Sequence, residues 1–395
     1  MGQSRQHNNP ADGAFQAHLY QGGALGFQRW VSSNRRSGAL CTTIQPSRLQ
    51  PTSACTGRLA HPSPPLALDP LMQILFITDP LDTFKIYKDT TFSMMREAER
   101  RGHTLAVCGP QDIRWQQGEK VIAFVRDITL TGNADGEGDW YTAEQQHPDE
   151  RPQPLCEFGA VLMRKDPPFD SEYFYSTHLL EQGEREGAKV FNKPRALRDH
   201  PEKLAIMEFA QYIGPTLVTR DAGDIKRFHA EHKDIILKPL DGMGGMGIFR
   251  VKEDGLNLGS ITETLNKNGA QSVMVQKFLP EIAQGDKRVL VIGGEAVPFS
   301  LARIPQGSEV RGNLAAGGLG VAQPLSDRDL EIADAIGPIL AERGLLLAGI
   351  DVIGDCVTEI NVTSPTCFQE IFDQTGFDVA AMFIEALEEA IEEAD

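Results

Sequence analysis

No stretch of this 395-residue chain keeps about 18 apolar residues in succession, so no transmembrane helix is predicted and no membrane partner is expected. Basic residues are scarce: 38 Lys and Arg stand against 55 Asp and Glu, a formal charge of −17. Sequence-independent nucleic-acid binding needs a basic face, and this balance argues against it. The six cysteines (Cys41, Cys55, Cys108, Cys156, Cys356, Cys367) include no CxxC pair. They suggest neither a disulfide framework nor a zinc site, and they fit a reducing cytoplasm. Gly-x-Ser-x-Gly, HExxH and EF-hand patterns are missing too. His103, His147, His178, His200, His229 and His232 show no ligand spacing and read as surface or capping residues.

Lysine is absent from the first 71 residues, which hold six arginines and only two acids, Asp12 and Asp69. Ser, Gly, Pro and Gln are abundant there and hydrophobic periodicity is lacking, so 1–71 reads as a disordered extension. Arg-rich, acid-poor composition also suits a targeting segment. The strand-like run directly after Met72 favours an over-extended start instead. Without the extension, 32 basic residues face 53 acidic ones.

What the chain does have is a glycine loop between two apolar runs. Asp234–Val251 contains an Ile-Ile-Leu run, Lys238, four glycines (Gly242, Gly244, Gly245, Gly247) and then Ile-Phe-Arg-Val. Glycines let backbone N–H groups approach phosphate oxygens, and Lys238 adds a point charge. The pattern is strand–loop–strand. A Walker A loop and a dinucleotide-binding loop both open a helix, so neither fits. A mobile flap over the phosphates of ATP does. A glycine-rich hairpin without a ligand is the plain alternative.

From Met72 an α/β alternation is readable. Strands are expected at 73–78, 104–108, 158–164 and 189–191, and helices at 89–101 and 171–186, with 131–154 as a long loop. This first unit, 72–194, reads as an open α/β sheet with helices on its faces. Residues 195–395 read as α+β: helices at 201–212, 221–233, 327–343 and 377–394, and strands at 216–219, 235–238, 248–251, 273–279, 288–292, 296–304, 345–353 and 356–362.

Three groups of residues carry chemistry. Asp351, Glu359 and Asn361 are hard oxygen donors on the last two strands, suited to Mg²⁺ beside phosphates. Glu359 and Asn361 share a face because they are two apart. A two-residue turn at Gly354-Asp355 would pair 351 with 358 and put Asp351 on the other face, so convergence of all three requires an odd connection or a bulge. The segment from Val273 to Pro280, with Gln276, Lys277, Phe278 and Leu279, is a candidate adenine strand, with Met274 or Phe278 against the base. Asp286 is a candidate for ribose hydroxyls, and Arg288 for phosphate or carboxylate. The glycine-rich stretch from Ala302 to Gly320 contains Arg303, Arg311 and Asn313, which suit an anionic transition state, and its loop 304–320 reads as a lid whose closure excludes water. Each also has a bland reading, as strand core or as charge at a turn.

Taken in order, these elements resemble the ATP-grasp ligases. The motifs Met163-Arg-Lys-Asp-Pro-Pro-Phe-Asp170, Lys238-Pro-Leu-Asp-Gly-Met-Gly-Gly245, Arg303-Ile-Pro-Gln-Gly307, Arg311-Gly-Asn-Leu-Ala-Ala-Gly-Gly318 and Glu359-Ile-Asn-Val-Thr-Ser-Pro-Thr366 are similar to those of bacterial glutathione synthetases. The resemblance runs from about Met72 to the C-terminus. It implies a pre-ATP-grasp domain followed by an ATP-grasp fold, ATP with Mg²⁺ or Mn²⁺, and ligation of glycine to γ-glutamylcysteine through an acyl phosphate. It places Lys203, on a helix, with Lys238, Gly242, Gly244 and Gly245 on the nucleotide. Lys88 and Arg164 become candidates for peptide carboxylates, with Ser364, Pro365 and Thr366 near the acceptor. It also implies a cytoplasmic homo-oligomer, a tetramer. The chain departs from the family at Leu319, where a basic residue is common. Another ATP-grasp ligase, of the D-alanine or glutamate type, and a non-catalytic nucleotide-binding module are the competing readings. Deleting 1–71 is expected to leave melting temperature and activity unchanged; loss of either would show that the extension packs on the fold.

Overall fold

The computed structural model describes residues 71–132, 139–143, 151–307 and 309–394. The expectation for 1–71 therefore lies almost wholly outside the described residues. Parallel strands covered on both faces are apolar throughout, and β1 (Gln73–Ile77) shows this: Ile74 to Ile77 are completely buried. The side chains alternate between two cores, Leu75 and Ile77 into one, Ile74 and Phe76 into the other.

The first unit contains α1 (Thr90–Arg100), β2 (Thr104–Cys108), β3 (Ile113–Arg114), β4 (Ile122–Phe124), β5 (Arg126–Leu130), β6 (Tyr141–Ala143), β7 (Pro152–Pro154), β8 (Ala160–Met163), α2 (Ser171–Arg185) and β9 (Val190–Phe191). Its main sheet runs β6-β5-β2-β1-β8-β9, with β1, β2, β8 and β9 parallel and β5 and β6 antiparallel at one edge. Strands β3, β4 and β7 form a small separate sheet. The expected loop at 131–154 thus contributes β6 and β7, strands of three residues each that local sequence does not announce. Asp89 caps α1 by accepting from Phe92 N, and Asp170 caps α2 by accepting from Tyr173 N.

After α3 (Pro194–Asp199), a four-stranded antiparallel sheet is built from β10 (Thr216–Thr219), β11 (Ile235–Pro239), β12 (Phe249–Val251) and β13 (Val273–Lys277), in the order β10-β13-β11-β12. One face packs Ile235, Leu237, Val273 and Val275 against α4 (Ala222–His232) and α5 (Leu258–Leu265). Helix α5 was not expected, because Asn257 precedes it in a left-handed conformation without a side-chain cap. The expected helix at 201–212 is a 3-10 segment, Ala205–Tyr212, broken at Phe209.

A five-stranded antiparallel sheet completes the fold: β14 (Asp286–Ile292), β15 (Glu295–Ile304), β16 (Leu319–Pro324), β17 (Leu347–Ile353) and β18 (Cys356–Asn361), in the order β16-β15-β14-β17-β18. α6 (Asp327–Glu342) contributes Ile332, Ala333, Ile336 and Leu340 to the core that holds Val289, Ile350, Val352 and Ile360. α7 (Phe368–Thr375) and α8 (Val379–Glu392) join the core that includes α1. Helix α7 lacks a capping signal; Cys367 precedes it at φ 98°. Strand β16 shortens the expected lid, and Leu314–Ala316 within it forms a 3-10 turn.

Asn192 ties the end of the first sheet to the last. Its Nδ2 donates to Leu347 O at 2.7 Å and Val362 O at 2.8 Å, and its Oδ1 accepts from Leu347 N at 3.0 Å. Replacing it leaves three buried backbone groups without partners. Asn192→Ala is expected to cost about 2–4 kcal/mol, read as a lower urea midpoint. An unchanged midpoint would show that water replaces the side chain freely.

Candidate active site

A cavity of about 320 Å³ lies between the four- and five-stranded sheets. Its floor follows from pairing. Arg288 sits opposite Asp351, Asp286 opposite Arg303, Asp351 opposite Glu359, and Gly349 opposite Asn361. Directly paired residues project to one side, so all six charged or amide side chains share a face of the sheet. The irregularity that convergence requires is a bulge: Asp351 pairs with Glu359 but Val352 pairs with Val357, leaving Thr358 as the extra residue.

The carbonyl of that extra residue is used. Lys238 Nζ donates to Thr358 O at 3.1 Å, and Thr358 Oγ1 donates back to Asp351 O at 3.3 Å. Lys203 Nζ donates to Glu359 Oε1 at 3.0 Å and to Gly242 O at 2.6 Å, joining the last strand to the glycine flap. Lys203 stands in a turn rather than on the expected helix, because Glu202 and its neighbours are tied to β18: Ile360 N donates to Glu202 O. Burial pushes the Lys238 ammonium below its ordinary pKa, opposed by the nearby Glu359.

Arg288 grips Asp351 with two donors, Nε to Oδ1 at 2.5 Å and Nη2 to Oδ2 at 3.2 Å. Arg303 Nη2 lies 2.9 Å from Asp351 Oδ2 and 2.6 Å from Asp286 Oδ2, close enough for ion pairing but misaligned for hydrogen bonds. Burial alone would raise the pKa of the Asp351 carboxyl, but Arg288 and Arg303 more than offset it and hold it below the usual range. Asp286 goes the other way, burial outweighing Arg303. Its Oδ1 is buried without a donor, the position a hydroxyl would fill.

The flap and lid touch. Arg311 Nη1 donates to Gly245 O at 3.2 Å, and its Nη2 pairs with Glu309 at 2.6 Å, which brings the Glu309 carboxyl down to about 2. Gly245 has φ 81°, and a Cβ there would stand 2.6 Å from Asn313 Oδ1. On the opposite wall Gln276, Lys277, Phe278 and Leu279 line the cavity, and Phe278 is braced by Arg250, whose Cζ lies 3.4 Å from the ring centroid. Met274 is wholly buried in the core, so only Phe278 of the two candidates is available to a base.

Of the residues singled out from sequence, Lys88, Arg164 and Pro365 are not on the cavity wall. The Arg164 guanidinium is buried and engaged, with Nε donating to Thr91 Oγ1 at 3.2 Å and Nη2 to Pro365 O at 3.0 Å. It braces the 364–366 loop rather than presenting a free fork. Lys88 is half-buried near Glu370. Ser364 and Thr366 do reach the cavity. Sequence reasoning missed Glu202, although it immediately precedes Lys203; its Oε1 accepts from Val362 N, Thr363 N and Thr363 Oγ1.

The residues at the last strands fit a hard cation. Asn361 donates through Nδ2 to Gly349 O at 3.1 Å, which leaves its Oδ1 open, and among the described residues no donor meets Glu359 Oε2. Asp351 differs, since both its oxygens are shared with arginines. No cluster of three His, Cys, Asp or Glu side chains of metal-binding geometry occurs among the described residues, so a metal here needs the amide and phosphate oxygens as well.

Two antiparallel sheets clasping a cleft with lysines on one side and acids on the other define an ATP-grasp ligase. Solved structures agree on the fold: the D-cycloserine synthetase DcsG superposes with a TM-score of 0.57 at 16% identity, covering 80% of this chain and 99% of that one. The ATP-grasp ligase PsnB gives 0.51 at 20% identity, covering 81% and 98%. The family is narrower. The model for the prokaryotic glutathione synthetase N-terminal domain matches residues 72–198, and that for its ATP-grasp domain matches 202–376. The glutathione synthetase of Ralstonia nicotianae is 60% identical over 319 residues, 81% of this chain and 96% of the relative. That of Nitrosomonas europaea is 56% identical over 320 residues, 81% and 98%. The chain belongs to the prokaryotic glutathione synthetase family.

Gly349 tests whether the arginine floor matters. A Cβ there would lie 2.7 Å from Arg288 Cδ, which the Asp351 pair holds in place. Gly349→Ala is expected to lower stability by about 1–3 kcal/mol. Substrate-dependent ATP cleavage should fall more than tenfold. Normal turnover would show that the Arg288 position is not needed.

Proposed function

We propose that the chain joins glycine to the cysteinyl carboxylate of γ-glutamylcysteine, cleaving ATP to ADP and phosphate and forming glutathione. The observation that carries this reading is the convergence of Lys203, Lys238 and the Arg288–Asp351–Arg303 floor under one glycine flap. In the first step a carboxylate oxygen attacks the γ-phosphorus, the bond to the β-phosphate oxygen breaks, and ADP leaves. In the second, the glycine nitrogen loses its ammonium proton to solvent and attacks the acyl carbon, phosphate departs with the C–O electron pair, and a second nitrogen proton passes to the phosphate.

Such phosphoryl transfer needs positioning and charge neutralisation more than a strong base. Gln276 to Leu279 hold the adenine, and Asp286 Oδ1 accepts from a ribose hydroxyl. Lys203 and Lys238 stand over the phosphates, with Gly242, Gly244 and Gly245 supplying backbone N–H groups. Arg288 uses two of its five donors on Asp351, which leaves others for the transferring group. Glu359 and Asn361 would hold Mg²⁺ or Mn²⁺, with Asp351 beside them through an oxygen it shares with an arginine; the ion would neutralise phosphate charge. Arg311 and Asn313 close the lid on the flap and exclude water from the acyl phosphate. Ser364 and Thr366 line the acceptor end; Arg164 positions their loop through Pro365. Lys88 meets a substrate carboxylate only if it moves to the cleft. The unit boundaries 72–194 and 195–395, read from the order of elements, the cytoplasmic location, read from the cysteine pattern, and the tetrameric assembly that the family resemblance implies belong to the same proposal.

Phosphate release measured with ATP and Mg²⁺ tests the reading. It should require γ-glutamylcysteine and glycine together and should not respond to D-alanine or glutamyl peptides. Release independent of dipeptide and glycine would overturn the assignment. Lys238→Ala is expected to weaken nucleotide binding and reduce ligation at least a hundredfold, as loss of a charge-assisted phosphate contact of about 3 kcal/mol implies. Turnover near the wild-type rate would remove Lys238 from its role.

A further inference from the structure

We propose that Glu202 receives the ammonium group of the acceptor amino acid. The inference rests on the ligase reading above and follows from the charges of the cleft. Five carboxylates line the cavity: Asp166, Glu202, Asp286, Asp351 and Glu359. Three are matched by cations, Asp286 by Arg303, Asp351 by Arg288 and Arg303, and Glu359 by Lys203. Among the described residues Asp166 and Glu202 have no cation within ion-pair distance. Asp166 is exposed, with the conformational freedom that exposure brings.

Glu202 is half-buried and held in one orientation. Its Oε1 accepts at 3.0 Å from Val362 N, 3.1 Å from Thr363 N and 2.8 Å from Thr363 Oγ1. No donor among the described residues reaches Oε2. The Tyr173 hydroxyl is buried without a hydrogen-bond partner among the described residues, and burial together with the negative charge of Glu202 pushes its pKa up. An anchored carboxylate with one oxygen unused, on a cavity wall, is a site awaiting a cationic donor. The anchoring groups run directly into Ser364-Pro365-Thr366, and Lys203, next in sequence, reaches Glu359 and the flap. Glu202 therefore stands where the acceptor end of the cleft meets the phosphate end. The ammonium group docks there and attacks as the free amine once one of its protons has passed to water, so at the binding step a zwitterionic amino acid is favoured over a neutral amine.

The test uses the full chain with saturating ATP, Mg²⁺ and γ-glutamylcysteine, comparing wild type with Glu202→Gln. Gln keeps the shape and an oxygen for the three anchoring donors while removing the charge. Two nucleophiles are compared: glycine, and hydroxylamine, which is neutral near pH 7 and converts an acyl phosphate to a hydroxamate. The glycine KM is expected to rise at least tenfold, with hydroxamate formation and the KM values for ATP and dipeptide staying within twofold. A glycine KM within twofold of wild type overturns the proposal. Parallel loss with both nucleophiles also overturns it, because Glu202 would then serve only to order residues 362–363. Wild-type phosphate release that ignores dipeptide and glycine would overturn the ligase reading itself, and this assignment with it, and it would appear without any substitution.

Discussion

Between Asp351 and Val352 the pairing of β17 with β18 changes register by one, and the residue left over is Thr358. Side chains alternate along a strand, so one extra residue transfers everything after it to the other face. Without the bulge Glu359 and Asn361 would point towards the α6 side, into the core that holds Val352 and Ile360. With it they join Asp351, Arg288, Arg303 and Asp286 on the cleft side. The unpaired carbonyl at the bulge is not idle, since it accepts from Lys238 across the cleft. One local departure from regular pairing thus sets the orientation of the acids and gives the flap lysine an anchor.

The floor built this way is charged yet nearly neutral. Isolated buried charges are too costly to keep, and each arginine here faces a carboxylate. The same balance is absent from the opposite wall, where Lys238 is buried and Glu359, which acts on its charge, is already bonded to Lys203. Lys238 thus stands beneath the flap without an ion-pair partner of its own among the described residues. On the proposed reading the phosphates of ATP would supply the missing negative charge; net charge describes the surface, whereas the field of the cleft is local, so a strongly acidic chain is no obstacle to an acidic nucleotide.

Much of this was legible in the sequence, and the reasons differ by element. The run before Lys238, its four glycines and the resumed strand specified a flap because glycine and β-branched residues have strong local preferences. Convergence of Asp351, Glu359 and Asn361 would need an odd connection or a bulge, and a bulge is what brings them to one face. Strands β6 and β7 were not legible, since three residues bounded by prolines or turns carry too little pattern and are held by partners distant in sequence. Helices α5 and α7 begin without side-chain caps, so no N-terminal signal announced them. Arg164 had the right residue type for a substrate carboxylate, but only tertiary packing reveals that Thr91 and Pro365 have already claimed its donors. Glu202 was overlooked because an acid beside a lysine in a turn looks like surface charge until residues 362–363 close upon it.

Sharing of the fold then narrows where specificity resides. A D-cycloserine synthetase has the same two-sheet framework at 16% identity, so the clasp around the nucleotide does not by itself choose the acceptor. Choice must lie in residues that meet the non-nucleotide end of the cavity. Here that end is composite: Asp166 and Pro167 come from the first sheet's exit loop, Glu202 from the turn before the second sheet, and Ser364 and Thr366 from the loop after β18. Arg164 and Pro365 lock two of these segments together, and Glu202 locks the third to residues 362–363. A change in any one segment is passed to the others through buried hydrogen bonds. On the proposed ligase reading this end of the cavity meets the acceptor, and buried hydrogen bonds hold its three segments as one unit above a sheet framework that other ligases share.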